Sequence, residues 1–201
     1  HLLYIGQCEE GSTSRMRYSI LANELNAPIS LIDLTPIIYQ TWKPFRSLGW
    51  RFKLGPLIRN INKVIQKELD KNLKYELIWI DKGVFIQPNI LKALRKRTDR
   101  LIHFTPDPAF LYHRSRFFES GIDQYDYCIT TKSFELATYK AKGSKKTLYC
   151  TQGYDELVHR PLVKFDDKIY DICFIGHYEN ERAQIIKSLL NDGHSAVIAG
   201  I

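Results

Sequence analysis

The sequence contains no apolar run approaching the roughly 18 residues that a membrane-spanning helix needs. It also lacks a basic start followed by an apolar signal core, so secretion is not expected. Its four cysteines, Cys8, Cys128, Cys150 and Cys173, do not pair at the two-to-four-residue spacing of a zinc site. Three of them lie in or beside apolar runs, which points to buried free thiols and a reducing, cytoplasmic compartment. There is no Asp-x-Asp, the pair that holds a divalent cation against a diphosphate in metal-dependent sugar transferases, so no metal and no cofactor are expected. A Gly-x-Ser-x-Gly hydrolase elbow is also missing. The chain opens at His1 already inside an apolar run, and a few further residues are expected upstream.

What is present is ordinary for a globular protein, at 44% hydrophobic and 25% charged residues. The formal charge of +7 is concentrated at Lys92 to Arg100 and at Lys140 to Lys146. Solvated helix faces account for such clusters, and so does attraction to an anion such as a nucleotide diphosphate, an acidic glycan or a membrane surface. Aromatics do not interleave with these two clusters, so nucleic acid is not the expected partner, while peripheral membrane contact stays open. His103, inside Leu101 to Phe104, reads as a strand histidine rather than a ligand.

Short apolar runs alternate with segments of helical period. Strands are expected at Leu2 to Ile5, Ser30 to Leu34, Tyr75 to Ile80, Leu101 to Phe104, Tyr127 to Thr130 and Thr147 to Cys150. Helices are expected at Arg15 to Leu25, at Leu57 to Leu69 with one apolar stripe, at Pro88 to Arg97, and from a Ser133 cap to Gly143. The stretch Pro36 to Leu54, rich in Trp, Phe and basic residues, reads as irregular. Strands alternating with helices imply an α/β fold with a doubly wound, Rossmann-like parallel sheet. A boundary follows in Gly153 to Asp167, giving domains at 1–163 and 164–201. The second opens with a strand at Ile169 to Ile175, a Gly176 loop, a helix at Glu181 to Leu190 and a strand at Ser195 to Ala199.

Gly6 and Gly11 have P-loop spacing, but Ser12 and Thr13 stand where that motif requires Lys and then Ser or Thr, which excludes the ATPase reading. What remains is a polar loop, Gly11 to Arg15, between a strand's C-terminus and a helix's N-terminus, where ligands of open α/β sheets gather. A plain capped helix start is the alternative. Asp81, Lys82 and Asp107 also fall just past strand ends, as cleft candidates or simple turn residues. His113 and Arg114 follow closely enough to face the same cleft. In the second domain, Gly176 lets backbone approach a ligand, and Arg182 is placed to pair with a diphosphate.

Several of these segments together resemble the CgeB-like glycosyltransferases. They are Gly11-Ser12-Thr13-Ser14-Arg15, Asp81-Lys82-Gly83, Pro106-Asp107, Tyr125-Asp126-Tyr127 with Thr130-Thr131-Lys132, and Gln152-Gly153-Tyr154-Asp155 with His159-Arg160-Pro161. Asp171 to His177 with Glu181-Arg182 completes the series, in order along nearly the whole chain. The resemblance implies a GT-B architecture: two Rossmann-like domains, acceptor bound mainly by the first and nucleotide sugar by the second, without an essential metal. It also implies later strands and a donor-gripping carboxylate beyond Ile201, so the chain is expected to be a piece that alone binds donor weakly and does not turn over.

The expected activity is therefore transfer of a sugar from a nucleoside-diphosphate sugar to an unidentified acceptor. Loop amides and side chains at Gly11, Ser12, Arg15, Gly176, His177 and Arg182 would hold the diphosphate. Asp107 would position or deprotonate the acceptor hydroxyl. A noncatalytic two-lobed sugar or nucleotide binder, and a basic α/β domain docking on an anionic polymer or membrane surface, are the alternatives.

Overall fold

The structure, a computed structural model, describes residues 1–111 and 114–200. His113, one of the cleft candidates, lies outside the described residues. The chain divides into two compact units, His1–Gly153 and Tyr154–Ile201. The sequence reading places its boundary after residue 163, within the same irregular stretch.

In the first unit, strands β1 (Leu2–Gly6), β2 (Ile29–Asp33), β3 (Leu77–Asp81), β4 (Leu101–Thr105), β5 (Tyr127–Thr130) and β6 (Thr147–Tyr149) form one parallel sheet, ordered β2-β1-β3-β4-β5-β6. The winding direction reverses between β1 and β3. Right-handed crossovers then put α1 (Thr13–Glu24) on one face and the later helices on the other. Side-chain alternation agrees. Leu3, Ile5, Ile78, Ile80, Leu101 and Cys128 point into one buried core with α4 (Pro56–Asp70) and α5 (Pro88–Arg95). The opposite face carries Tyr4, against which Tyr18 of α1 packs edge-on at 5.6 Å. There Trp79, Ile102, Tyr127 and Ile129 stay half-buried. The result is an α/β, Rossmann-like unit with a fully covered face and a thinly covered one.

Helix α4 follows the expected stripe: Leu57, Ile61, Ile65 and Leu69 are all buried. The stretch read as irregular is instead α2 (Thr35–Gln40) and α3 (Lys43–Phe52). Pro36 and Pro44 each sit in the first turn, where the missing N–H has no intrahelical partner to lose. They start helices rather than break them. Gly49 lets α3 lie against α4, because a Cβ there would meet Leu57 at 2.8 Å. Ser133 caps nothing; it begins a 3-10 turn, Ser133–Glu135, that leads into α7 (Leu136–Ala141). A short helix, α6 (Arg116–Ser120), precedes β5.

His103 is wholly buried in β4, its ring tilted against Phe118 with centroids 4.3 Å apart, and Tyr139 Oη lies 3.4 Å from its Nε2. Burial drives its pKa down to about 3, so it is a neutral core histidine. The basic clusters near residues 92–100 and 140–146 are partly neutralised: Arg95 and Lys145 both approach Asp126, and Lys142 pairs with Glu119.

The second unit is a single βαβ: β7 (Ile172–Ile175), α8 (Asn180–Asn191) and β8 (Ala196–Ala199), with the strands parallel. Asp171 closes its base, its Oδ2 accepting from both the backbone N–H and the hydroxyl of Ser195. The sequence pattern suggests that Ile172, Phe174, Val197 and Ile198 form one uncovered face. The structure places α8 on the side of Phe174, which is half-buried, while Ile198 stays exposed and Ile175 is 77% exposed on the other side. Cys173 is likewise exposed, so only Cys8 and Cys128 are the buried thiols expected. No helix among the described residues is long and apolar enough to cross a membrane.

Candidate functional site

The C-terminal ends of β1, β3 and β4 meet the start of α1 at the point where the sheet reverses its winding, the usual ligand position of open α/β sheets. A pocket of about 200 Å³ opens there, lined by Gln7, Glu9, Ser12 to Ser14, Asp81, Lys82 and Pro106. Its floor requires Gly6, since a Cβ there would stand 2.8 Å from Ser14 Oγ and 3.0 Å from Asp81 Cβ. Gly11, in left-handed backbone at φ +76°, turns the loop. Ser12 is the N-cap of α1. Its Oγ accepts from the Arg15 N–H at 3.1 Å and donates to the Gln7 carbonyl at 3.3 Å. Asp33 holds the neighbouring backbone by accepting from the N–H groups of Cys8 and Thr35.

Asp81 is the centre of this arrangement. Its Oδ2 accepts from Arg17 at 2.7 Å and from the Tyr4 hydroxyl at 3.0 Å, while Oδ1 is buried with no hydrogen-bond partner among the described residues. Arg17 is further held over the Phe104 ring, 3.9 Å from its centroid. Burial, reinforced by the Asp81 charge, pushes the Tyr4 phenol well above its ordinary value, so Tyr4 stays a donor. Burial also raises the Cys8 thiol to about 11, which rules it out as a thiolate nucleophile at neutral pH.

Lys82 adopts left-handed backbone at φ 63° and pairs with Asp107 Oδ2 at 2.7 Å. The loop bearing Asp107 is tied down independently. Glu135, itself buried, accepts from the N–H groups of Ala109 and Phe110, and Thr131 donates to the Pro106 carbonyl at 2.8 Å. Asp107 is therefore a fixed, half-exposed carboxylate paired with the Lys82 ammonium.

The structure thus brings Ser12, Asp81, Lys82 and Asp107 together at one edge. Arg15 points elsewhere: it is exposed, lies 5.6 Å from the Tyr18 ring centroid, and does not line the pocket. The arginine that reaches the centre is Arg17, which sequence reasoning missed together with Tyr4. The available signals were a tyrosine inside an otherwise apolar strand, whose hydroxyl needs a partner, and Arg17 three residues after Ser14, on the same helix face.

In the second unit a cavity of about 510 Å³ lies between the β7 and β8 ends and α8, lined by Gly176, His177, Tyr178, Glu179 and Arg182 among others. The Gly176 carbonyl sits against Gly200 too closely to admit a side chain there. Arg182 pairs with Glu179 at 3.3 Å and lies 5.9 Å from the Phe174 ring centroid. Lys187 adds a second cation to the lining. Among the described residues no side chain caps α8, so its first N–H groups face the loop without a side-chain cap. Among the described residues, no group of three or more His, Cys, Asp or Glu side chains is arranged to hold a metal ion.

No protein-family model matches the sequence, and no curated protein matches it.

Proposed function

We propose that the chain carries sugar-transferase machinery of the GT-B type, with hydroxyl recognition in the first unit and diphosphate recognition in the second. The observation that supports this division is the opposite charge character of the two strand–loop–helix pockets. The first is lined by Glu9, Asp81 and a Lys82 already paired with Asp107, a setting that favours a neutral, hydroxyl-rich ligand over an anion. The unpartnered Asp81 Oδ1 is an acceptor suited to a ligand hydroxyl. The second pocket combines Arg182, itself paired with the lining Glu179, with Lys187, His177 and the uncapped start of a twelve-residue helix, a net positive lining that suits a diphosphate.

In the reaction the acceptor oxygen attacks the sugar's anomeric carbon, the bond from that carbon to the diphosphate oxygen breaks, and the acceptor proton passes to a carboxylate. Asp107 is our choice for that carboxylate, and Arg182 stabilises charge on the departing nucleoside diphosphate. Gly11 and Ser12 then shape the acceptor pocket rather than bind phosphate, and Arg15 has no assigned contact. The test is a thermal-shift screen of the full gene product against nucleoside diphosphates and their sugars. A ligand that binds only the folded state raises the apparent stability, by about 2.7 kcal/mol at a hundred times its Kd. No shift with any of them would overturn the reading.

A further inference from the structure

The stretch read from sequence as irregular, taken with most of the helix after it, carries the least balanced charge in the chain. From Leu34 to Lys67 there is no Asp or Glu, yet seven Lys and Arg residues occur. In the structure this segment becomes α2, α3 and most of α4. Phe45, Leu48 and Phe52, spaced i, i+3 and i+7, share one edge of α3 and point away from the core. Trp42, the N-cap, is 68% exposed and meets Phe45 edge-on at 5.4 Å, and Leu54 continues the apolar edge beyond the helix. Such residues gain nothing from water.

The cations around this edge are uncompensated. Among the described residues, none of Lys43, Arg46, Arg51, Arg59 and Lys63 takes part in an ion pair. A groove of about 640 Å³ begins at Lys53 and Leu54, directly after α3, and its charged lining residues are Lys53, Arg59, Lys63 and Arg116, with no carboxylate. Lys53 is mostly buried there, donating to the Trp50 carbonyl. Among the described residues, Glu9 reaches the region from another element and accepts from Tyr39 at 3.3 Å.

We propose that this face, the α3 apolar edge with its adjoining basic groove, docks on an anionic lipid surface. An aromatic and aliphatic edge flanked by Lys and Arg is the composition of a helix lying in the membrane interface, with rings at the headgroup level and cations on lipid phosphates. Charge complementarity commits the face to anionic lipid. Leu48 and Leu54 favour lipid over a single-stranded nucleic acid, which would stack on the rings but has no use for aliphatic side chains. The surface is independent of the sugar-transfer reading. It adjoins the first pocket through Tyr39 and Glu9, so a docked molecule would hold that pocket near the lipid.

The test is flotation of the full gene product with vesicles of phosphatidylcholine alone and with about 30% phosphatidylglycerol. Binding is expected only to the anionic vesicles, weakening with salt. Neutralising Lys43, Arg46 and Arg51 to Gln should lower partitioning about a hundredfold, near fivefold for each cation. The exposed triple variant Trp42→Ala, Phe45→Ala, Phe52→Ala should abolish it with circular dichroism unchanged. If that variant fails to fold, Trp42→Phe serves instead: it should remove the blue shift of tryptophan emission that vesicles induce in the parent. Equal binding to neutral vesicles, binding unaffected by these changes, or absence of vesicle binding would overturn the proposal. So would the same residues driving self-association or RNA binding in place of it.

Discussion

The β1–loop–α1 segment and the β7–loop–α8 segment have the same local grammar: an apolar strand, a glycine turn, then a twelve-residue helix. Their depth differs. In the first, the loop is fixed from behind by Asp33, by the Ser12 cap and by the buried Arg17–Asp81–Tyr4 cluster. In the second, Arg182 in the first turn of α8 pairs with the exposed Glu179 at the helix start, and among the described residues no side chain caps the helix. The same sequence device therefore gives a rigid pocket where a third strand supplies a buried partner, and a loose one where none does. Rigid positioning suits a site that must orient a hydroxyl, whereas an exposed arginine is free to turn towards a ligand.

Breaking the comparison at its strongest point gives the largest effect. Arg17→Met leaves the Asp81 carboxylate buried with only Tyr4 as donor, and should destabilise the first unit by about 3 kcal/mol in urea unfolding. Arg182→Met, which removes an exposed pair, should change stability by less than about 0.5 kcal/mol. Equal effects would erase the distinction drawn here.

A second contrast comes from acid. Among the described residues the buried histidine, His103, belongs to the first unit, whereas His159, His177 and His194 in the second are exposed. With its pKa lowered to about 3 in the folded state, His103 takes up a proton more readily when unfolded. Its contribution is complete above pH 6.5 and is lost as pH falls from there towards 3. Between pH 6.5 and 5 the first unit should lose about 2 kcal/mol through this residue. His103→Gln should flatten that slope in urea titrations run at each pH.

The smallest effect sharpens the comparison at the caps. Ser12→Ala removes the acceptor for the Arg15 N–H and should cost about 1 kcal/mol. Glu179→Ala, at a position that makes no capping hydrogen bond, should be close to neutral by the same assay.

Much of this was legible in the sequence. Short apolar runs located the six strands of the first sheet, and a period-3.6 stripe located helix α4, because these elements supply most of the buried core. Ser12, Asp81, Lys82 and Asp107 were legible as residues just past strand ends. Helices α2 and α3 were not, because Pro36 and Pro44 signal both helix starts and helix breaks, and α3 presents an apolar edge to solvent. Arg15 and Arg17 were equivalent in sequence. They lie about 200° apart around α1, and only the placement of that helix over β1 decides which one reaches Asp81.

The division of labour between the two pockets is tested most directly by calorimetric titration of nucleoside diphosphates and their sugars into the full gene product, comparing the parent with Arg182→Ala and Arg15→Ala. The account predicts that Arg182→Ala weakens binding by about 1.5–3 kcal/mol, the scale of a charge-assisted hydrogen bond, while Arg15→Ala leaves it unchanged. Weakening by Arg15→Ala with Arg182→Ala silent, both proteins being folded, would contradict it.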